Sequence, residues 1–185
     1  MAIVVGDRPI RPITGDEAIA MVEAGIIGPE ERVELLHGVL TQMSPQYVPH
    51  AGVTERLNTW LAPVLIEGTH SVRIQLPFRV PDRTSLPEPD VAVVLREDAP
   101  TDHPSSAALI IEVAWSSLKV DTEIKTPLYA AADVEEYWVI DVASKRVEVF
   151  LPERRTIAPP DKPQPRALDV EPLDLDALFR GLRAE

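Results

Sequence analysis

A glutamate near the end of a run of β-forming residues constrains this chain more than any other feature. Leu109-Ile110-Ile111 leads into Glu112 and Val113, and a run of this kind bounded by polar segments reads as a fully buried strand. An unpaired carboxylate there costs several kcal/mol, so Glu112 needs a cation, a basic partner or a raised pKa. Upstream, PEPDVAVVL holds a second run, Val91–Leu95, opened by Asp90 behind a proline. Proline keeps to strand starts and edges, which puts Asp90 at the beginning. If the two strands are antiparallel neighbours, the start of one lies beside the end of the other, and the two acids sit side by side. After Glu112 come a polar loop, a helical pattern containing Lys125, and a third apolar run, Tyr137–Ile140. A strand, helix and strand in succession make a right-handed parallel crossover, with ligands bound beyond the carboxyl ends of the strands. Two acids and a lysine are predicted to converge on one point.

The other segments supply a frame. Residues 1–13 show little pattern and read as irregular. Thr14 and Glu17 have the spacing of a capping box, which predicts a helix carrying Ala18, Ile19, Met21 and Val22 inward and stopping at Gly25. Val33–Met43 reads as a hairpin turning at His37-Gly38, with Glu34 just before its apolar core. His50–Ile66 has a helical repeat that Pro63 should bend. Val72–Val80 predicts one long strand, with Val72, Ile74, Leu76, Phe78 and Val80 on one side and Arg73, Gln75 and Arg79 on the other. The helix after Glu112 spans about Asp121–Ala132 and is kinked at Pro127 or restarts there. Lys145–Leu151 should form a hairpin with Tyr137–Val142. Residues 152–165 are Pro-rich and read as extended and exposed. Leu173, Leu175, Leu178, Phe179 and Leu182 close the chain as a short amphipathic stretch. The expectation is a single α/β domain over residues 1–185, a mixed sheet flanked by helices.

Composition bounds the chemistry. At 185 residues the chain can bury a sizeable core. No run approaches the roughly 18 apolar residues of a membrane helix, and the first residues lack a signal-peptide pattern. The chain has no cysteine, so disulfides and thiolate metal sites are out, and a cytoplasmic home is the default expectation. Acids outnumber bases 30 to 18, for a net charge of −12, which argues against a tight nonspecific grip on duplex DNA. Hard carboxylates without thiolates suit Mg²⁺ or Mn²⁺. The plainer alternative pairs Glu112 with Lys119 or Lys125 and leaves Asp90 capping a turn. Asp121, Lys125 and Tyr129 are spaced to share one helix face, where an exposed Asp121–Lys125 pair is worth only about 0.3–0.5 kcal/mol. If the lysine is instead catalytic, Lys125→Met should abolish activity while leaving melting temperature and metal affinity nearly unchanged.

PEPDVAVV, LIIEVAWSS, the D-x-x-x-K-x-x-x-Y spacing and EYWVID resemble the PD-(D/E)XK nuclease superfamily. More narrowly they resemble the Uma-type endonucleases of bacteria, long catalogued as a domain of unknown function. The similarity runs from about Glu31 to the C-terminus, with RVELLHGVL matching a helix-to-hairpin element and its glutamate, here Glu34. The resemblance implies a restriction-endonuclease-like core, three layers α/β/α, with Asp90 and Glu112 as ligands of Mg²⁺ or Mn²⁺. It implies the Val113 carbonyl as a backbone ligand and Glu34 as an auxiliary acid near the metal. The implied reaction is hydrolysis of DNA phosphodiester bonds by a metal-activated water, in a homodimer by analogy with DNA-cutting relatives. In the superfamily pattern the lysine follows two residues after the glutamate, where this chain has Ala114. The narrower family carries it on the next helix, which points to Lys125 ahead of Lys119. Asp121 and Tyr129 match family positions one turn either side and read as supporting or packing residues. His50 matches a family histidine, and Gln75, on the polar side of its strand, is a candidate substrate contact that a solvated strand face explains equally well. Trp60, Trp115 and Trp138 read as core or rim, and His70 and His103 lack partners at metal-ligand spacing. A non-catalytic binding or scaffold domain on the same fold, or a small-nucleotide phosphoesterase, stays open beside the endonuclease.

Overall fold

A computed structural model describes residues 4–5, 7–43, 47–97, 101–151, 154–157 and 162–182. Two short strands, β1 (Val4–Val5) and β2 (Arg8–Pro9), pair antiparallel where an irregular segment was expected. Strands of two residues carry no alternation to read. Helix α1 (Gly15–Glu23) starts at the capping box: Glu17 N–H donates to Thr14 Oγ1 at 3.2 Å, and Thr14 N–H to Glu17 Oε2 at 2.9 Å. It buries Ala18 but leaves Val22 57% exposed, because α1 packs only along a narrow line on Leu35 and Leu86. The hairpin of β3 (Val33–Leu36) and β4 (Val39–Gln42) turns at His37-Gly38, both at positive φ, the pattern whose twist suits a two-residue hairpin. A Cβ on Gly38 would stand 2.7 Å from Pro12 Cα. Gly38→Ala should therefore cost more than about 1 kcal/mol, read as a lower urea midpoint at unchanged slope.

Helices α2 (Val48–Trp60) and α3 (Ala62–Glu67) part at Leu61, as expected from Pro63. Strands β5 (His70–Ile74), β6 (Val91–Leu95), β7 (Ser106–Ala107) and β8 (Leu109–Ala114) follow. A π-helical turn, Val120–Lys125, runs into α4 (Thr126–Ala131). The chain continues through β9 (Asp133–Val134), β10 (Tyr137–Asp141), β11 (Arg146–Leu151), β12 (Arg154–Ile157) and α5 (Leu175–Phe179). The main sheet is mixed, in the order β12-β11-β10-β8-β6-β5. Within it β8 and β10 are parallel, the crossover expected, and β6 lies antiparallel to β8 with Val91 opposite Ile111.

Alternation sorts the two faces. Val91, Val93, Leu109, Ile111, Trp138 and Ile140 pack against α2, α3 and α5. Ala92, Val94, Ile110, Tyr137 and Val139 pack against Leu128 and Tyr129 of α4. Glu112 falls among the second set, in a position its neighbours fill with hydrocarbon.

Two expectations about strands need correction. Val72–Val80 is not one strand: the ladder stops at Ile74 because Gln75 has φ +50. Leu76 is then 44% exposed, while Phe78 and Val80 are buried from an extended stretch tied down by Phe78 N–H to Pro87 O at 2.9 Å. Residues 152–165 are not uniformly extended and exposed either. Arg154–Ile157 contains no proline and forms an edge strand on β11, and Pro163 and Pro165 are buried; residues 152–153 and 158–161 lie outside the described residues. Leu173, Leu175, Leu178 and Phe179 turn inward as expected.

Candidate active site

The register that sets Val91 against Ile111 brings Asp90 beside Glu112 on the α4 face, where Asp90 N–H points at Glu112 Oε2 at 3.4 Å. The Asp90 carboxylate is held from three sides. Val113 N–H donates to Oδ2 at 2.8 Å, Gln75 Nε2 donates to Oδ1 at 3.0 Å, and His50 Nε2 lies 3.1 Å away. His50 reaches it from the first turn of α2. Gln75 reaches it through the left-handed backbone that ends β5, so its side chain meets an acid and not a solvated strand face.

Lys125 completes the group. Its Nζ lies 2.9 Å from Glu34 Oε2, 3.0 Å from Glu112 Oε1 and 3.7 Å from Asp121 Oδ1. Tyr129 donates its hydroxyl to Glu112 Oε1 at 3.1 Å. Asp121, Lys125 and Tyr129 do share one inward side, yet through a π-helical turn where a regular helix was expected. In such a turn backbone bonds run i to i+5, and the Asp121 carbonyl accepts from Thr126 Oγ1 at 3.2 Å and Tyr137 Oη at 2.9 Å. These hydroxyls help stabilise the wide turn. Lys125 is only 3% exposed, so the surface-pair reading fails, and with it the expectation that Lys125→Met would spare stability. Lys119 is exposed and does not line the cleft.

Sequence reasoning missed Ser117 and Glu88. Ser117 Oγ donates to Asp121 Oδ2 at 2.6 Å; its place four residues before Asp121 was the available signal. Glu88 offers its backbone N–H to Glu34 Oε2 at 3.5 Å, and nothing in the sequence foretells that. Trp138 is buried and stacked on Trp60 with centroids 5.9 Å apart, as core reasoning expected, while Trp115 stands at the cleft.

Three carboxylates thus surround one ammonium, with Asp90 beside Glu112. Burial pushes Glu112 well above the ordinary carboxylate range, Lys125 opposes the shift, and Asp121, Asp90 and Glu34 reinforce it. Burial likewise lifts Asp121 to about 6, against Lys125 and Ser117. Burial would depress Lys125, but Glu112, Glu34 and Asp121 outweigh it and raise its pKa. Burial also opposes ionisation of Asp90, yet the bonds from His50, Val113 and Gln75 win and hold it below its usual value. A carboxyl whose folded pKa is raised stabilises the fold below its unfolded value and loses that contribution as pH rises through the folded one. For Asp121 this window runs from 3.8 to about 6. In chelator, Asp121→Asn should therefore flatten the fall in melting temperature across that window, seen by calorimetric scans at stepped pH.

The donor set fits a divalent cation in chemistry and in charge: oxygen ligands, no thiolate, and buried acids that one lysine does not neutralise. Among the described residues no three acidic or imidazole groups already stand in metal-holding geometry. Lys125 Nζ lies between the acids instead. The cleft has a volume of about 180 Å³ and is lined by Glu34, His50, Gln75, Asp90, Glu112 and Lys125, with Trp115 and Val120 among the apolar residues around them. Glu34, His50, Gln75, Asp121 and Tyr129, named from the sequence, all lie at this point or in hydrogen-bond contact with it.

No curated protein matches the chain. The fold is shared by a crystal structure described as a "putative nuclease" from Anabaena variabilis ATCC 29413. The two are 20% identical with a TM-score of 0.72, the match covering 91% of this chain and 98% of that one. Residues 18–179 match the family described as "Putative restriction endonuclease", and the chain belongs to that family, Uma2.

Proposed function

We propose that this chain is a Mg²⁺- or Mn²⁺-dependent endonuclease that hydrolyses phosphodiester bonds of DNA. The observation that carries the reading is the abutment of Asp90 and Glu112 at adjoining strand ends, with Lys125 against Glu112. Asp90 and Glu112 are the residues to hold the ion. The Val113 carbonyl joins them, since the N–H and C=O of one strand residue point the same way and its N–H faces Asp90. A cation so held supplies an acidified water and offsets charge on a phosphoryl oxygen.

The chain's own residues do the rest. His50 and Gln75 fix the Asp90 carboxylate in one orientation, and Tyr129 and Lys125 fix Glu112. Glu34 also holds Lys125, so the ammonium stays beside Glu112, where it would meet the transition-state charge of a phosphate at both acids. Membership of a family described as restriction endonucleases supports the reading. No described helix is long and apolar enough to cross a membrane, which accords with a cytoplasmic site of action. The working unit is proposed to be a homodimer, the commonest assembly, and light scattering reads that directly.

The test joins binding to turnover. Calorimetry with Mn²⁺ should show binding that Glu112→Gln weakens by at least about tenfold, because the swap removes charge while keeping shape. Wild type should nick or cut DNA in Mg²⁺ or Mn²⁺. Equal metal binding by both proteins would make Glu112 a structural partner of Lys125 only. Metal binding without cleavage of single-stranded, duplex or branched DNA would favour a binding domain, a reading to which the net charge of −12 also inclines.

A further inference from the structure

A second cavity, about 460 Å³, lies between α1, the β3–β4 hairpin and the segment before β6, and none of the chemistry above uses it. It is within the roughly 300–1,000 Å³ of ligand pockets. Ile19, Val22, Leu40 and Pro77 make apolar walls, and Glu88 and His103 add polar groups. It is also joined to the acidic cleft. Arg32, Glu34 and Gln75 line both spaces. Glu88 passes its N–H to Glu34, whose other neighbour is Lys125.

We propose that this cavity receives one unstacked nucleobase of the strand whose phosphate lies in the acidic cleft, so that the substrate is single-stranded or locally opened nucleic acid. The inference rests on the nuclease reading. Three observations carry it. The cavity shares walls with the cleft, so the two sites are contiguous. Apolar residues outnumber polar ones in its lining, and four glutamates with Arg32, Gln75 and His103 offer acceptors and donors to the polar edges of a flat ring. The chain has 30 acids against 18 bases, so the phosphate attraction that dominates duplex binding is in short supply, and apolar contact with bases must provide more of the affinity. Contact with a base face is sequence-tolerant, and a base can enter such a pocket only out of its stack.

The test compares a labelled single-stranded oligonucleotide with an abasic strand of the same length, by fluorescence anisotropy at low salt with Ca²⁺ and by cleavage with Mn²⁺. Wild type should bind the base-bearing strand at least about tenfold more tightly. Ile19→Trp and Val22→Trp, which fill the cavity from α1, should remove that preference; Val22 is 57% exposed, so the second change leaves packing intact. Equal binding of the two strands by wild type overturns the pocket. So does a preference that survives in a folded filled variant, since the base is then read elsewhere. Cleavage without base preference leaves the nuclease reading standing and removes the pocket, whereas base preference without cleavage does the reverse. Failure of both measurements removes both.

Discussion

Lys125→Met is expected to destabilise the metal-free protein by about 3–5 kcal/mol and to slow cleavage at least a hundredfold. The ammonium is the shared partner of Glu34, Glu112 and Asp121 in a space almost closed to water. Removing it leaves buried acids facing one another, and the methionine stem offers them nothing. Saturating Mn²⁺ should recover part of the lost melting temperature, because a cation at Asp90 and Glu112 relieves the same repulsion. Lys119→Met, an exposed change in the helical residues just before the wide turn, should leave both quantities where they were. A Lys125→Met protein as stable as wild type without metal would mean that the acids are protonated and uncharged around the lysine. One that cuts DNA normally would hand the catalytic role to another group.

Asp90→Asn should have the opposite balance, a large loss of function on a nearly intact fold. The amide oxygen can still accept the Val113 N–H that holds the residue in place, and a turn of the Gln75 amide lets its oxygen accept from the new Nδ2, so the melting temperature should move little. What disappears is the negative charge, and with it one of the two carboxylates proposed to hold the cation. Cleavage should fall by at least about a hundredfold, more than the loss expected from disturbing a residue that only orients a ligand. Mn²⁺ calorimetry and thermal melts on the same preparation separate the two effects. A folded Asp90→Asn protein that binds Mn²⁺ and cuts as wild type does would dismiss Asp90 as a ligand.

Much of the site could be read from the sequence because it depends on local pattern. A proline before an apolar run fixes where a strand begins, and a glutamate near the end of another fixes where the two can meet. That was enough to bring Asp90 beside Glu112, and the following helix brought Lys125. The hairpin at His37-Gly38 and the break at Pro63 were legible for the same reason. Gln75 was not, since its role depends on a positive φ that nothing in VRIQLPF announces. The burial of Lys125 was hidden as well. The sequence gives the spacing of Asp121, Lys125 and Tyr129, but Glu34, which closes over the lysine, comes from a hairpin 91 residues earlier (125 − 34). The edge strand Arg154–Ile157 was masked by the prolines on either side of it.

The wide turn at Val120–Lys125 makes the cleft sensitive to chain length. A π-helical turn accommodates one residue more than an α-helix would across the same span, and here it sets the phase between Ser117 and Asp121 upstream and Lys125 and Tyr129 downstream. Delete any one position between them and the segment can relax to about 3.6 residues per turn. Tyr129 and Leu128 anchor α4 in the core, so the upstream end must swing, carrying Asp121 and Ser117 away from the lysine. Side-chain replacements at the exposed positions 123 and 124 should leave this geometry alone, whereas gaps in that short interval should not.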